Sequence, residues 1–156
     1  MTAKVTNSMD GKNYPKAIDN AVERMLVEAG AMIEGDAKLL APIDLGRLAG
    51  SITYATRKEK SAVDSPATHG DGVSTPMAPD TVYIGTNVEY AAHVEYGTRA
   101  HKINGPVKIR GVGWRYIKQH PGTKAQPFLR PAFDNNKSAI MRMGLREVDR
   151  GLKRGK

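Results

Sequence analysis

With 156 residues, 40% of them hydrophobic, and no cysteine, the chain is long enough for one domain with a substantial core, and a disulfide framework or cysteine-ligated zinc site is excluded. No apolar run approaches the roughly 20 residues that span a bilayer, and Met1–Asp10 lacks a signal-peptide core, so the expected setting is a cytoplasm-like compartment, or export from it by something other than secretion. The net charge of +8 is unevenly spread: residues 1–98 carry 9 Lys+Arg against 13 Asp+Glu, and residues 99–156 carry 15 against 3, balances of −4 and +12. That asymmetry suits either a surface meeting a polyanion or acidic partner, or a solvated basic helix and tail.

Residues 1–14 are polar and aperiodic and read as a flexible arm, followed by a single domain over 15–150 and a basic tail over 151–156. Pro15 suits the first turn of a helix. Ile18, Val22, Met25, Ala29, Ile33, Ala37 and Leu40 then follow steps of four and three, which predicts a long amphipathic helix ended by Pro42. In the punctuated segment 41–52, Asp44 is placed to cap a short turn whose apolar face is Leu45, Leu48 and Ile52. Arg47 reads as a nearby surface or interface cation; with no second acid or nucleophile beside them, Asp44 and Arg47 do not form a catalytic pair.

Residues 51–57 alternate through Ile52, Tyr54 and Thr56 as a strand would, and 81–86 match them with Val82, Tyr83 and Ile84. Between them, residues 58–80 are rich in Ser, Asp, Pro, Gly and Thr, so the expectation is a β-hairpin with a long tip, which either touches a neighbour or is a tolerated insertion. The strand at 81–86 runs into a short helical period, with Tyr90, Ala91, Val94 and Tyr96 toward a core and Gly97 as its C-cap.

Residues 99–118 then carry Arg99, Lys108 and Arg110, with Val107–Arg110 and Trp114–Lys118 pairing as two basic strands across Gly111-Val-Gly113. Trp114 and Tyr116 among cations have the composition of a nucleic-acid surface, although Trp114, the sole tryptophan, is expected to be a buried anchor. Phe128 and Phe133 lead into a last amphipathic helix on which Arg142, Arg146 and Arg150 form a basic ridge. The expected core thus includes Tyr83, Tyr90, Val94, Trp114, Phe128 and Phe133. The fold expected is α+β: the two long helices on one face of a mainly antiparallel sheet of about four strands.

Chemistry is sought without success. No glycine-rich stretch has phosphate-cradling spacing. His69, His93, His101 and His120 are scattered and lack carboxylates at ligand spacing, and Glu89 and Glu95, six apart, do not share a helix face. No cofactor, metal site or enzymatic activity is expected.

Three segments in order, Leu40-Ala-Pro-Ile-Asp-Leu-Gly-Arg-Leu-Ala-Gly-Ser-Ile52, Val82–Thr98 and Gln126-Pro-Phe-Leu-Arg-Pro-Ala-Phe133, resemble the signatures of the tail-component or neck protein family of long-tailed bacteriophages of the HK97 type and their prophages. Leu45 and the length of the 58–80 loop depart from that pattern. The resemblance implies a non-enzymatic virion subunit, present in the host cytoplasm during assembly. It would form a homo-oligomeric ring at the head–tail junction or tail end and complete the tail or join it to the DNA-filled head. Its partners would be connector, head-completion and tail proteins, with passive contact to DNA in the channel and none with membrane. Interface residues expected on this reading are Asp44, Arg47, Arg99, Lys108, Arg110, Arg142, Arg146 and Arg150. The alternative is a monomeric nucleic-acid-binding module that uses the basic C-terminal third.

Overall fold

The computed structural model describes residues 2–6, 16–43, 46–63, 72–74 and 78–154. The elements run β1 (Thr2–Thr6), α1 (Lys16–Leu40), α2 (Arg47–Ser51), β2 (Thr53–Ala55), β3 (Thr81–Gly85), α3 (Ala91–Tyr96), β4 (His101–Ile109), β5 (Gly113–His120) and α4 (Leu129–Arg154). The class is α+β, with a long helix near each end of the chain.

Helix α1 buries Ile18, Ala21, Val22, Leu26, Ala29, Ile33 and Ala37, the stripe that its three- and four-residue spacing lays along one side. It ends at Leu40, two residues before Pro42. The most extensive packing in the fold is α4 against α1. The two run antiparallel, as Arg24 to Glu147 and Asp36 to Asn136 show. Gly144 allows the approach, since a Cβ there would stand 2.8 Å from Met25 Sδ. The other side of α1 lies on β2 and β3, and Gly30 is needed for it: a Cβ at that position would meet the Tyr54 ring at 2.7 Å. Phe128, Leu129, Ile52, Val82 and Ile84 complete this core. Full burial of each such side chain contributes about 1.5–3 kcal/mol.

The sheet under the helices has three antiparallel strands in the order β1-β3-β2, with β3 in the middle. The segment Thr2–Thr6, expected to be a flexible arm, is therefore an edge strand paired residue for residue with Gly85–Thr81; residues 7–14 of that arm lie outside the described residues. Beyond β2 the chain folds back on it, Lys60 bridging Ala55 and Ser61 N donating to the Tyr54 carbonyl. Residues 72–74 return beside the end of β3: Gly72 bridges Thr86, and Val73 N donates to Thr53 Oγ1 at 2.8 Å. The intervening 64–71 and 75–77, nearly half of the expected tip, are not among the described residues.

Strands β4 and β5 do not join this sheet. They form a separate two-stranded hairpin, closed by a turn with Gly111 and Gly113 at positive φ. This corrects the expected single sheet of about four strands. The reason is visible in the burial of the strands: neither has a fully buried position, so the hairpin has no face to lay on the core. At the C-terminus the expected tail is still helix through Arg154.

Candidate interaction surface

The hairpin is held at its root by a compact clamp. Thr98 and Thr123 exchange backbone hydrogen bonds at 3.0 and 3.1 Å, and their hydroxyls lie 2.9 Å apart. Gly97 (φ 72°) and Gly122 (φ 90°) flank this bridge, where a Cβ would stand 2.6 Å from the Thr123 carbonyl oxygen and 2.3 Å from that of Thr98. No L side chain fits there. One step further in, Gln126 N donates to the Val94 carbonyl. Glu95, only 3% exposed, then accepts from the amides of Phe128 (2.7 Å), Leu129 (3.0 Å) and Arg130 (3.0 Å). A carboxylate taking three free amides at a helix start is well placed both for hydrogen bonding and for the helix dipole. Helix α3 thereby fixes where the hairpin leaves the body and where α4 begins.

Beyond the clamp, His101 and His120 stack with centroids 5.2 Å apart. The His101 Nδ1–H donates to the Arg99 carbonyl and His120 Nδ1 accepts from Gly122 N. With His93 and Arg99 they line a shallow hollow of about 640 Å³. Three of the four histidines are thus brought together, although among the described residues no group is arranged to hold a metal ion.

From this root the strands extend about 30 Å, taking ~3.3 Å per residue over nine residues. Registry sorts their side chains: Lys108 faces Trp114 and Pro106 faces Tyr116 on one side, while Val107 faces Arg115 and Gly105 faces Ile117 on the other. The first side is open to solvent, with Trp114 66% and Tyr116 65% exposed, and Val112 protrudes at the turn. Residues 101–120 contain Lys102, Lys108, Arg110, Arg115 and Lys118 and no acid. The structure therefore presents an arm of aromatic and cationic side chains, rooted rigidly and covered by nothing among the described residues.

Residues 11–97 match the model of the family described as "Bacteriophage HK97-gp10, putative tail-component". The chain belongs to this family. No curated protein and no solved structure matches it. The HK97-gp10 family is one of phage structural components, and no described helix of this tail component is long and apolar enough to cross a membrane.

The expected interface residues of the tail component do not converge on one place. Arg99 is exposed at the hairpin root, Lys108 on the arm and Arg110 in its turn. Arg142, Arg146 and Arg150 are exposed along α4, where Arg146 and Arg150 line a shallow cleft with Asp149 and Lys153. Arg150 is paired with Glu147, a buried carboxylate that also receives Arg24 at 3.4 Å. Arg47 opens α2 on the surface, and Asp44 and Leu45 lie outside the described residues. The residue at the N-cap of α2 is Gly46, at φ 73°.

Of the expected core, Phe128 is fully buried, and Val94 and Phe133 pack partly buried against the main cluster. Tyr83 is half-buried, with Lys4 Nζ 5.7 Å from its ring centroid. Three expectations are corrected. Tyr96, expected toward the core, is 69% exposed. Trp114 is exposed because no described element lies opposite its strand. Tyr90 is 40% exposed because it caps α3 from outside and leaves the buried place to Ala91. Sequence reasoning also passed over Glu95, whose partners lie 33 to 35 residues away. The nearest available signal was a lone acid two residues before a helix-ending glycine.

Proposed function

We propose that this tail component is a non-enzymatic subunit of a homo-oligomeric ring at the head–tail junction or tail end of a long-tailed phage. In that position it completes the tail or joins it to the DNA-filled head. The observation that carries this reading is the β4–β5 arm. A two-stranded hairpin is marginal in water by itself, and one that exposes Trp114, Tyr116 and Val112 gains a use when another surface covers it. Tryptophan, tyrosine and arginine are also the side chains that concentrate binding energy at protein interfaces. The basic ridge of α4 provides a second face for neighbouring rings, with Arg142 and Arg146 as its available cations. Connector, head-completion and tail proteins are the partners, and DNA passes through the channel without tight contact, since many phosphate contacts would retard it.

The test is in vitro joining. Heads and tails from a phage lacking this gene are mixed with the purified protein, and joined particles are counted by electron microscopy. Restored joining with the wild type, reduced by Arg142→Glu/Arg146→Glu, is the expected result; restoration without any copy of the protein in the particle refutes the assignment. A second reading, a monomeric nucleic-acid-binding module, is favoured by one observation: Trp114 and Tyr116 stand exposed beside Lys108 and Lys118. Tight DNA binding by a monomer, falling steeply with salt, would select it over the ring.

A further inference from the structure

We infer that Trp114 docks into a specific cleft on a second copy of this chain, making the subunit contact of the ring head-to-tail; this inference rests on the ring reading above. The cleft lies at the junction of α3 and α4, has a volume of about 560 Å³, and is lined mainly by apolar surface from Tyr96, Ala125, Pro127 and Pro131. Arg130 and Asp134 stand at its edge, with Arg130 Nε 4.0 Å from Asp134 Oδ2. Its floor is made rigid by Glu95, which holds the first amides of α4 in place. Tyr96 is 69% exposed, so an aromatic platform is displayed there with nothing upon it among the described residues.

Trp114 is the complementary piece. It is the sole tryptophan, it sits near the tip of the arm, and directly across the hairpin from it is Lys108. An indole inserted between Tyr96 and the two proline rings would bury a large apolar area in offset contact with an aromatic. Lys108 would then arrive beside Asp134, an exposed carboxylate on the rim. The arm has cations and no acid, and the rim offers Asp134, an exposed carboxylate held only loosely by Arg130 at 4.0 Å.

Trp114 does not fill the cleft of its own chain. Trp114 is separated from the end of β5 by six residues of extended strand, about 20 Å, and the cleft lies at the opposite end, next to the root. Trp114 is 66% exposed and is not among the residues that line the cleft of its own chain. The contact therefore joins different surfaces of two copies, and a contact of this heterologous kind repeats into a closed ring or a filament, whereas an isologous one stops at a dimer.

The single tryptophan provides the assay. The full chain is followed by tryptophan emission and by size-exclusion light scattering from micromolar to sub-millimolar concentration. Expected is a shift of emission to shorter wavelength that tracks assembly beyond a dimer. Trp114→Ala is expected to raise the assembly midpoint at least about 30-fold, the equivalent of a hot spot of about 2 kcal/mol. Tyr96→Ala should abolish the emission shift, and both variants should keep the wild-type far-ultraviolet circular dichroism because both residues are exposed. Trp114→Ala mixed with Tyr96→Ala should form a dimer through the one intact arm and the one intact cleft; no such dimer overturns the head-to-tail contact. Oligomers that persist unchanged in Trp114→Ala overturn the docking and leave the ring standing. A chain monomeric throughout overturns the docking, and overturns the ring as well if that monomer binds duplex DNA tightly.

Discussion

Replacing Glu95 by alanine removes the acceptor of three backbone amides at once, those of Phe128, Leu129 and Arg130. The Phe128 and Leu129 side chains are buried and shield their amides from water, whereas Arg130 is exposed and its amide can be resolvated. A buried donor left without a partner costs about 1–3 kcal/mol. Two such donors, with the lost interaction between carboxylate and helix dipole, give an expected destabilisation of roughly 3 kcal/mol. For a chain of this size each kcal/mol lowers Tm by about 2–4 °C, so Tm should fall by about 6–12 °C. Calorimetry or circular-dichroism melting reads this directly. Glu95→Gln should fall between, because its carbonyl oxygen still accepts while its NH2 faces donors. Glu89→Ala, an exposed neighbour, should stay within about 0.5 kcal/mol of the wild type. Amide hydrogen exchange separates a cap from a general weakening: residues 128–130 should lose protection before the sheet does. A Tm change in Glu95→Ala of less than about 3 °C, near 1 kcal/mol, would refute the assignment of Glu95 as the clamp between α3 and α4.

Gly122→Ala would place a methyl 2.3 Å from the Thr98 carbonyl at a φ of 90°, so the Thr98–Thr123 bridge should open; fluorescence anisotropy of Trp114 is expected to report a looser arm while the Tm of the body changes little. Tyr54 is held above the ordinary phenol value of 10.0 by burial first, then by its hydrogen bond to Glu59 and the charges of Glu59 and Glu34. A raised folded value means that this stabilisation is complete below pH 10 and is lost as pH climbs through the folded value; Tyr54→Phe should flatten the alkaline limb of a stability–pH curve measured by denaturant titration. Arg150→Glu, which replaces one of the two cations beside buried Glu147 with a like charge, should lower Tm, whereas Arg142→Glu and Arg146→Glu, exposed and without an ion pair among the described residues, should leave Tm within about 2 °C of the wild type, in line with other surface substitutions.

The elements built on long repeating patterns were legible. Helix α1 declares itself through the spacing from Ile18 to Ala37, and β2 and β3 through β-branched and aromatic runs, because a helix or strand that buries one face writes that face into the sequence. The same rule misled over β4 and β5. Val107, Ile109 and Ile117 alternate with cations as a half-buried strand would, yet alternation says only that two faces differ, not that either is covered. Trp114 followed from that error, since size and hydrophobicity indicate a preference for burial but not whether a second layer exists. Strand β1 was obscured by its brevity, five residues in a polar terminus, and gains its stability from β3, some 80 residues away. Glu95 was illegible for the same reason: its partners are distant in sequence, and a single acid has no pattern.

The two basic surfaces differ in a way that net charge conceals. On α4 several cations have an acid close by, Arg130 with Asp134, Arg150 with Glu147 and Lys153 with Asp149, so that helix is partly neutralised within itself. The arm has five cations over 20 residues with no acid among them. At physiological ionic strength charges are screened beyond about 8 Å, and the arm extends about 30 Å from its root. Its outer cations therefore lie several screening lengths from the hairpin root. Two arms brought tip to tip would set like charges against each other, while an arm brought to the body of another copy can meet exposed acids such as Glu89, and Asp134 where its loose pairing with Arg130 gives way. Electrostatics thus disfavours an isologous pairing of arms and favours arm on body, the arrangement of the ring proposed above.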